Sequence, residues 1–435
     1  MRKHTFILVL TVFIDMMGFS LIFPVFPETL NHFLAQAGDP VLDLIAGWTS
    51  RLLEGNSGDW KLFVALFGGI VASLYSILQF LFSPIWGKLS DKTGRRPVLV
   101  FTCTGSFAGY LVWLFSGSFS LFVLSRIITG LMGGNISVAT AAMADSTSEQ
   151  DRSKGMGMIG AGIGLGFIAG PSLGGILAHT DPSHLLPFLP WEKMTIFPSV
   201  ALVAASASLL NLVFVLLRFH ETLPHQLRNK SSEGKVHPIL GVFELGSREI
   251  LYVSFLNLFL LLFFSGFEFS LNFYLDQFLG FSPMHIGYTF VYIGLIIVFV
   301  QGGIIRRLSG KVEEKKVALL ACVFLVLGFL FLTLSDPNSE SKFRLFLALT
   351  FLALGSAFIN PSISAIVSLS SPANEQGKNL GILRSLGSFG RGISPILFSI
   401  VYSQKGPHFS FLISGLMSVI FLVLFLYVKQ PKVST

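Results

Sequence analysis

The sequence predicts an all-α integral membrane protein: twelve transmembrane helices in two six-helix halves. Three observations carry this. The 435 residues are 52% hydrophobic and only 12% charged, about half the charged share of a soluble domain. Apolar stretches long enough to span a bilayer, about 20 residues each, recur twelve times. The most polar segment, residues 219–248 with "HETLPHQLRNKSSEGKVHP", falls at the midpoint and reads as a linker too short for a catalytic domain.

The spans run over residues 5–27, 61–86, 97–117, 120–144, 155–178, 196–218, 249–279, 283–305, 316–335, 343–367, 380–402 and 408–428. The first follows a short basic start, "MRKH". Its length and the lack of a small-residue cleavage site mark it as a retained span, not a signal peptide. Gly, Ser and Asn weaken spans 4, 5, 10 and 11, but an even count places both termini on one side. Lysines and arginines set that side. With the amino terminus inside, twenty-one lie in inner segments, six in outer loops, and Arg126, Arg384 and Arg391 within spans. The formal net charge of +7 is thus a topology signal, and a nucleic-acid partner has no soluble basic domain to rest on. Both termini are expected in the cytoplasm, in the plasma (inner) membrane. Cys103 and Cys322 sit in apolar runs and are expected as buried, reduced thiols.

The chain repeats itself weakly across the linker. Gly87, Gly94 and Arg95 between spans 2 and 3 match Gly303, Gly310 and Lys311, each 216 residues later. Glu149, Gln150 and Gly155 match Glu375, Gln376 and Gly381, each 226 later. Two halves, 1–218 and 249–435, joined by 219–248, describe a transporter built of parallel repeats.

The loop between spans 2 and 3 reads "GKLSDKTGRRP" and resembles the G-x-L-x-D-x-x-G-R-R signature of the major facilitator superfamily. "RIITGLMGGNISVATAAMAD" (126–145) resembles that family's span 4 motif, which begins with an intramembrane arginine. "GAGIGLGFIAGPSLGG" (160–175) resembles the span 5 motif of antiporters, and "DMMGFSLIFPVFP" (15–27) the span 1 motif of drug:proton antiporters. "SEQDRSKGMGMIG" (148–160) is similar to tetracycline-efflux proteins. Four motifs in order, mostly in spans 1 to 5, imply the major facilitator fold and proton-coupled efflux by alternating access.

The residues carry their own physics. Gly87 and Gly94 permit close approach and positive φ. Asp91 can accept from the first N–H groups of a neighbouring helix or pair with Arg95, a latch that holds one conformation and releases in another. Lys88, Lys92 and Arg96 are also consistent with simple positive-inside anchoring. Gly162, Gly166, Gly170 and Gly174 form one stripe on span 5, suited to backbone-to-backbone packing, and Pro171 removes a helix hydrogen bond beside it. The resemblance implies a leak-tight seam there, where the halves rock.

Charges inside spans cost about 2.5–3.5 kcal/mol each on insertion scales, so function is their default reading. Asp15 is the first choice of proton carrier, because low dielectric penalises its charged form and lets it exchange a proton near cytoplasmic pH. Arg126 is its modulator or its permanent ion-pair partner. Glu268 is a second proton site or a contact for a cationic group. Arg391 lies deep on span 11, one face with Arg384, which is placed to snorkel to the inner surface. Gln79, Asn135, Asn272, Gln301 and Asn360 are expected to line a cavity or to serve as interhelical glue. No P-loop, metal-ligand spacing or catalytic motif is present in the sequence, so neither enzyme activity, nor a cofactor, nor a metal is expected. The expected partners are a small-molecule substrate, protons and the lipid bilayer, with the chain a monomer. In the first outer loop, Val41, Leu44, Ile45, Trp48 and Leu52 fall at helical spacing and predict a surface amphipathic helix. The predicted activity is proton-coupled export of an amphipathic small molecule or drug. The alternatives are a metabolite:proton symporter, a membrane sensor and a lipid scramblase.

Overall fold

The computed structural model describes residues 2–429 except 37, 53–59, 148–151, 185–186, 188–189, 192–193, 225–227, 229–246, 306, 308–311, 336–341 and 372–375. Most of the linker, with Glu149, Gln150, Gly310, Lys311 and Glu375 of the repeat matches, lies outside the described residues. Among those described, the regular structure is helical, as a chain must be where hydrocarbon offers its N–H and C=O groups no partner.

Eleven helical spans among the described residues are long and apolar enough to cross a bilayer. Span 1 joins α1 (Arg2–Ser20) and α2 (Phe26–Leu34) through a short 3₁₀ turn, Phe23–Val25. α3 (Pro40–Leu52) lies in the first loop. Spans 2 and 3 are α4 (Trp60–Thr93) and α5 (Arg95–Leu114); span 4 is split into α6 (Phe119–Met132) and α7 (Asn135–Ser146). Then follow α8 (Arg152–Leu177), α9 (Pro198–Arg218), α10 (Arg248–Gln277) and α11 (Pro283–Phe299), which is extended by a π segment, Val300–Ile305. The last four are α12 (Glu314–Thr333), α13 (Phe343–Leu369), α14 (Gln376–Lys405) and α15 (Pro407–Leu426). The twelfth span is α14, long enough but too polar for the hydropathy test. It packs between α10 of its own half and α4 of the other, and Asn379, Ser394, Ser399 and Ser403 are buried in that packing.

Several polar span residues serve breaks in the helices. The Gly133–Gly134 turn in span 4 interrupts the hydrogen-bond ladder. Gln79 Nε2 donates to Gly133 O at 3.3 Å and Trp86 Nε1 to Leu131 O at 2.7 Å. Pro361, inside α13, cannot bond the carbonyl four residues earlier. That carbonyl, Ala357 O, accepts from Gln301 Nε2 at 3.4 Å. Asn360 is exposed and folds back on Ser356. Of the two roles open to Gln79 and Gln301, cavity lining or interhelical glue, the contacts are those of the second: the backbone groups freed by glycine and proline claim them.

The span 5 glycine stripe does pack backbone to backbone, but against α1 of its own half. A Cβ at Gly162 would lie 3.0 Å from Val9 O, and one at Gly170 2.6 Å from Met17 O; Gly166 abuts Phe13 O and Gly174 abuts Leu21 O. The halves meet α8 elsewhere, at Gly175 against Gly287 and at Ile168 against Gly294. The expected seam is therefore corrected. Four-residue spacing shows that a helix comes close, but not which one. Pro171 lies inside α8, which continues through it.

α3 is amphipathic on both counts. Leu42, Ile45 and Thr49 are buried against the bundle, while Leu44, Trp48 and Leu52 of the predicted stripe point away from it. Its start is fixed by Asp39, which accepts from Val41 N and Leu42 N and, across the loop, from Ser120 N at 2.8 Å and Ser120 Oγ at 2.6 Å. Partial burial pushes this carboxyl's pKa up, but the Ser120 and backbone donors outweigh it and hold it below the usual value.

Two outcomes follow. Gly170→Leu should separate α1 from α8 and destabilise the protein by about 1–3 kcal/mol, read as a lower melting temperature in detergent, while Leu165→Ala, on the exposed side, should not; equal melting would refute the close packing. Because Asp39 is depressed, its contribution is full above the unfolded carboxylate value and disappears as pH falls through the folded one. Protease nicking in residues 37–60 should rise on acidification below about pH 4 in the parent, and should be high and pH-independent in Asp39→Ala.

Candidate functional site

Between the halves lies a central cavity of about 60 Å³. Span 1 contributes Phe19, Ile22, Phe23 and Phe26. α4 contributes Val71, Ala72, Tyr75 and Ser76, and α6 Arg126. α10 contributes Ser265, Glu268, Phe269, Asn272 and Phe273, and α14 contributes Arg391 and Pro395. The rings form a connected wall: Phe19 stacks on Tyr75 at 4.5 Å and meets Phe23 at 5.2 Å, and Phe269 meets Phe273 at 4.9 Å.

Two arginines, a glutamate and an asparagine, beside Ser76 and Ser265, interrupt this wall. Arg126 is 5% exposed and held over Trp113 at 4.6 Å, with Nε donating to Ser125 Oγ at 3.2 Å and Nη2 unpartnered. Arg391 lies over Phe167 at 5.4 Å. The Glu268 carboxylate has neither hydrogen bond nor ion pair among the described residues, and Asn272, whose Nδ2 donates to the Glu268 backbone O at 2.8 Å, leaves Oδ1 unpartnered. Two cations, one carboxylate and one amide thus converge on an aromatic pocket without satisfying one another, and buried polar groups left so are costly unless a ligand completes them.

Asp15 stands behind this cavity, one helical turn before Phe19 on α1. It is 6% exposed; Oδ1 accepts from Asn135 Nδ2 at 3.2 Å and Oδ2 has no partner. Asp15 and Arg126 form no ion pair, so the permanent-pair alternative finds no contact here. Of the expected cavity residues the structure brings Asn272 and Arg391 together, and with them Arg126 and Glu268, expected as proton-coupling residues. Asn135 backs Asp15 instead of lining the cavity. Arg384 does not snorkel: it crosses from α14 to the other half, donating Nη2 to Met156 O at 2.8 Å and Nη1 to Thr140 Oγ1 at 3.4 Å. At the opposite end the halves meet through Lys61 and Gln277, each donating to the other's carbonyl, at 2.5 and 3.0 Å.

The basic loop is tied to its own half. Arg95 Nη1 bonds Asp91 at 2.5 Å and Ser90 Oγ at 2.7 Å, and Arg95 Nε bonds Asp145 of α7 at 2.8 Å. Asp91 pairs as one alternative foresaw, but Glu221 caps α5, accepting from Arg95 N at 2.8 Å and Arg96 N at 3.1 Å. Gly94, at φ 106°, leaves room for that carboxylate. Gly87 lies near Ser137 with space to spare. Glu221 escaped the sequence reading because it lies 126 residues from its partner in an otherwise featureless linker.

A twelve-helix bundle with a polar cavity at its centre, between halves that touch on either side of it, defines a membrane transporter rather than an enzyme. The chain belongs to the Major Facilitator Superfamily, whose sequence profile matches residues 8–341 and 304–435. It is 32% identical to the mouse major facilitator superfamily domain-containing protein 10, covering 99% of this chain and 93% of the relative. It is 27% identical to the class B tetracycline resistance protein of Escherichia coli, covering 94% and 90%. The crystal structure of the human organic anion transporter MFSD10 (TETRAN) superposes with a TM-score of 0.78 at 28% identity, covering 98% of this chain and 99% of that one. A D-xylose-proton symporter shares the fold, with a TM-score of 0.75 at 16% identity over 99% and 98%.

Asp91→Asn and Glu221→Gln each remove one anion from the loop cluster with little change of shape. Both should lower the melting temperature and the transport rate, because a charge-assisted bond is roughly twice as strong as a neutral one. Lys92→Ala, on the exposed side, should change neither. Equal effects of Asp91→Asn and Lys92→Ala would return the loop to simple anchoring.

Proposed function

We propose that the protein exports an amphipathic, aromatic-bodied molecule in exchange for protons, and that this molecule carries both an anionic group and a hydrogen-bond-donating or cationic group. The observation behind this reading is the pairing of Arg126 and Arg391 with Glu268 and Asn272 inside one ring-lined cavity. The anionic group would sit on the arginines, the donor on Glu268, and the body against Phe19, Tyr75 and Phe269. The names of the relatives, a tetracycline resistance protein and an organic anion transporter, agree with such a class.

The donor group decides the direction of coupling. An anion held by Arg126 and Arg391 alone would favour protonation of nearby carboxylates, and proton and substrate would travel together. A cationic or strongly polarised donor on Glu268 favours that carboxylate ionised, so substrate and proton oppose one another, which is exchange. Asp15 carries the coupling proton. Its carboxylate takes up the proton, and a rearrangement that brings Arg126 closer drives the proton off. Inward movement of one proton contributes about 2.3 kcal/mol per 100 mV. The linker face is taken as cytoplasmic and the chain as a monomer in the plasma (inner) membrane.

Proteoliposomes with an imposed pH gradient test this, with tetracycline as the probe of the class and an aromatic monocarboxylate beside it. Tetracycline should accumulate against its gradient as protons leave. Arg391→Ala should weaken its binding about tenfold, or 1.4 kcal/mol. Asp15→Asn should bind and exchange tetracycline but build no gradient. Accumulation by Asp15→Asn at the parental rate would move the proton to Glu268, and co-transport of tetracycline with protons, the behaviour expected only of the donor-free monocarboxylate, would refute exchange.

A further inference from the structure

The cavity leaves one buried polar arrangement unexplained. Behind Asp15, Asn135 donates Nδ2–H to Asp15 Oδ1, while its own Oδ1 lies 2.5 Å from Thr102 Oγ1. Thr102 Oγ1 also lies 2.8 Å from Val98 O. A threonine hydroxyl has one proton, so it serves either Asn135 or Val98 O, not both. An asparagine presents a donor on one side and an acceptor on the other, and a half-turn of its amide exchanges them.

These constraints leave two self-consistent settings. With Asp15 ionised, Asn135 donates to the carboxylate and Thr102 donates to Asn135 Oδ1. With Asp15 protonated, its O–H donates to the turned amide's carbonyl, Asn135 Nδ2 donates to Thr102 Oγ1, and the threonine proton passes to Val98 O. Asn135 and Thr102 keep a partner in each setting while Asp15 Oδ2 stays open, and each setting favours one protonation state of Oδ1. We infer that Asn135 and Thr102 form a two-position hydrogen-bond switch that reads and stabilises both charge states of Asp15. Asn135 is thus a positioning residue for the coupling proton, an inference that rests on Asp15 being the carrier.

The surroundings leave this pair as Asp15's specific partner. Around Asp15, α4 contributes Tyr75 and α5 contributes Tyr110 and Cys103, and Arg126 of α6 faces the two tyrosines. α8 presents Gly162 and Gly166 to α1. α9 presents Asn211, which bonds Thr11 Oγ1 at 2.8 Å and Cys103 Sγ at 3.4 Å. The ion pairs of the described residues do not include Asp15, so its charge is met by an amide that is itself held in place.

The test is the pH profile of tetracycline accumulation by the full chain in proteoliposomes. The charged form of Asp15 loses the stronger bond when Asn135 is removed. Asn135→Leu should therefore raise the midpoint by about half to one pH unit, with tetracycline binding unchanged. Thr102→Val should shift it the same way by less, and Thr102→Ser should restore the parental profile. In the Asp15→Asn background, Asn135→Leu should have no further effect on pH dependence. Infrared pH-difference spectra give a second readout independent of transport: a side-chain amide band should change as the carboxyl protonates, and be lost in Asn135→Leu and in Asp15→Asn. An unchanged midpoint in Asn135→Leu and Thr102→Val, or an amide band indifferent to pH, would overturn the switch while leaving the carrier in place. Persistent pH-driven accumulation by Asp15→Asn would instead overturn the carrier, and the switch with it.

Discussion

Hydrocarbon accepts and donates no hydrogen bonds, and the rest of this structure depends on that constraint. It forces the spans into helices, and it leaves each broken turn to be repaired from within the protein. Where glycines interrupt span 4, Gln79 and Trp86 of α4 supply donors. Where Pro361 silences a backbone donor, Gln301 reaches across from the π segment. The same rule gives the central cavity its meaning. Arg126, Arg391, Glu268 and Asn272 are brought together there with bonding capacity left over, and capacity left over in a low dielectric is capacity to bind a ligand or a proton.

The two sides of α8 show how small residues organise the bundle. Its four-residue glycine stripe locks α1 to α8 within one half, and this fixes Asp15, on α1, against α7 and α5. Gly175 and Ile168, off that stripe, meet the other half. A rigid first half, tied again at its linker end by Arg95, Asp91, Asp145 and Glu221, can then move as one body. The contacts it would have to break include the polar ones of Arg384 with Met156 O at the linker end and of Lys61 with Gln277 at the other, beside the packing of α14 on α4 and α11 on α8.

In the proposed exchange the coupling chemistry divides between two carboxylates in different settings. Glu268 faces the cavity beside Arg391 and competes for substrate donors. Asp15 is withdrawn behind the aromatic wall, with one oxygen held by Asn135 and the other open. A proton on either changes the charge that Arg126 and Arg391 present to a ligand, and this is the physical link between proton and substrate in the proposed exchange.

By itself the sequence determined the spans, their number, the family and most charged residues of the site. Hydrophobic length, intramembrane charge and motif spacing are local properties, and the energetic cost of violating them is large. The surface helix at 40–52 and the Asp91–Arg95 pair were legible for the same reason. The tertiary structure alone decided the partners. A glycine stripe is equally suited to α1 or to the opposite half. A span glutamine is equally suited to a cavity or to a freed carbonyl. Glu221 caps a helix 126 residues away with no pattern to announce it. Asn135 looked like cavity lining and is Asp15's hydrogen-bond partner. Helical periodicity fixes which side chains share a face; only the packing of twelve helices against one another fixes what that face meets.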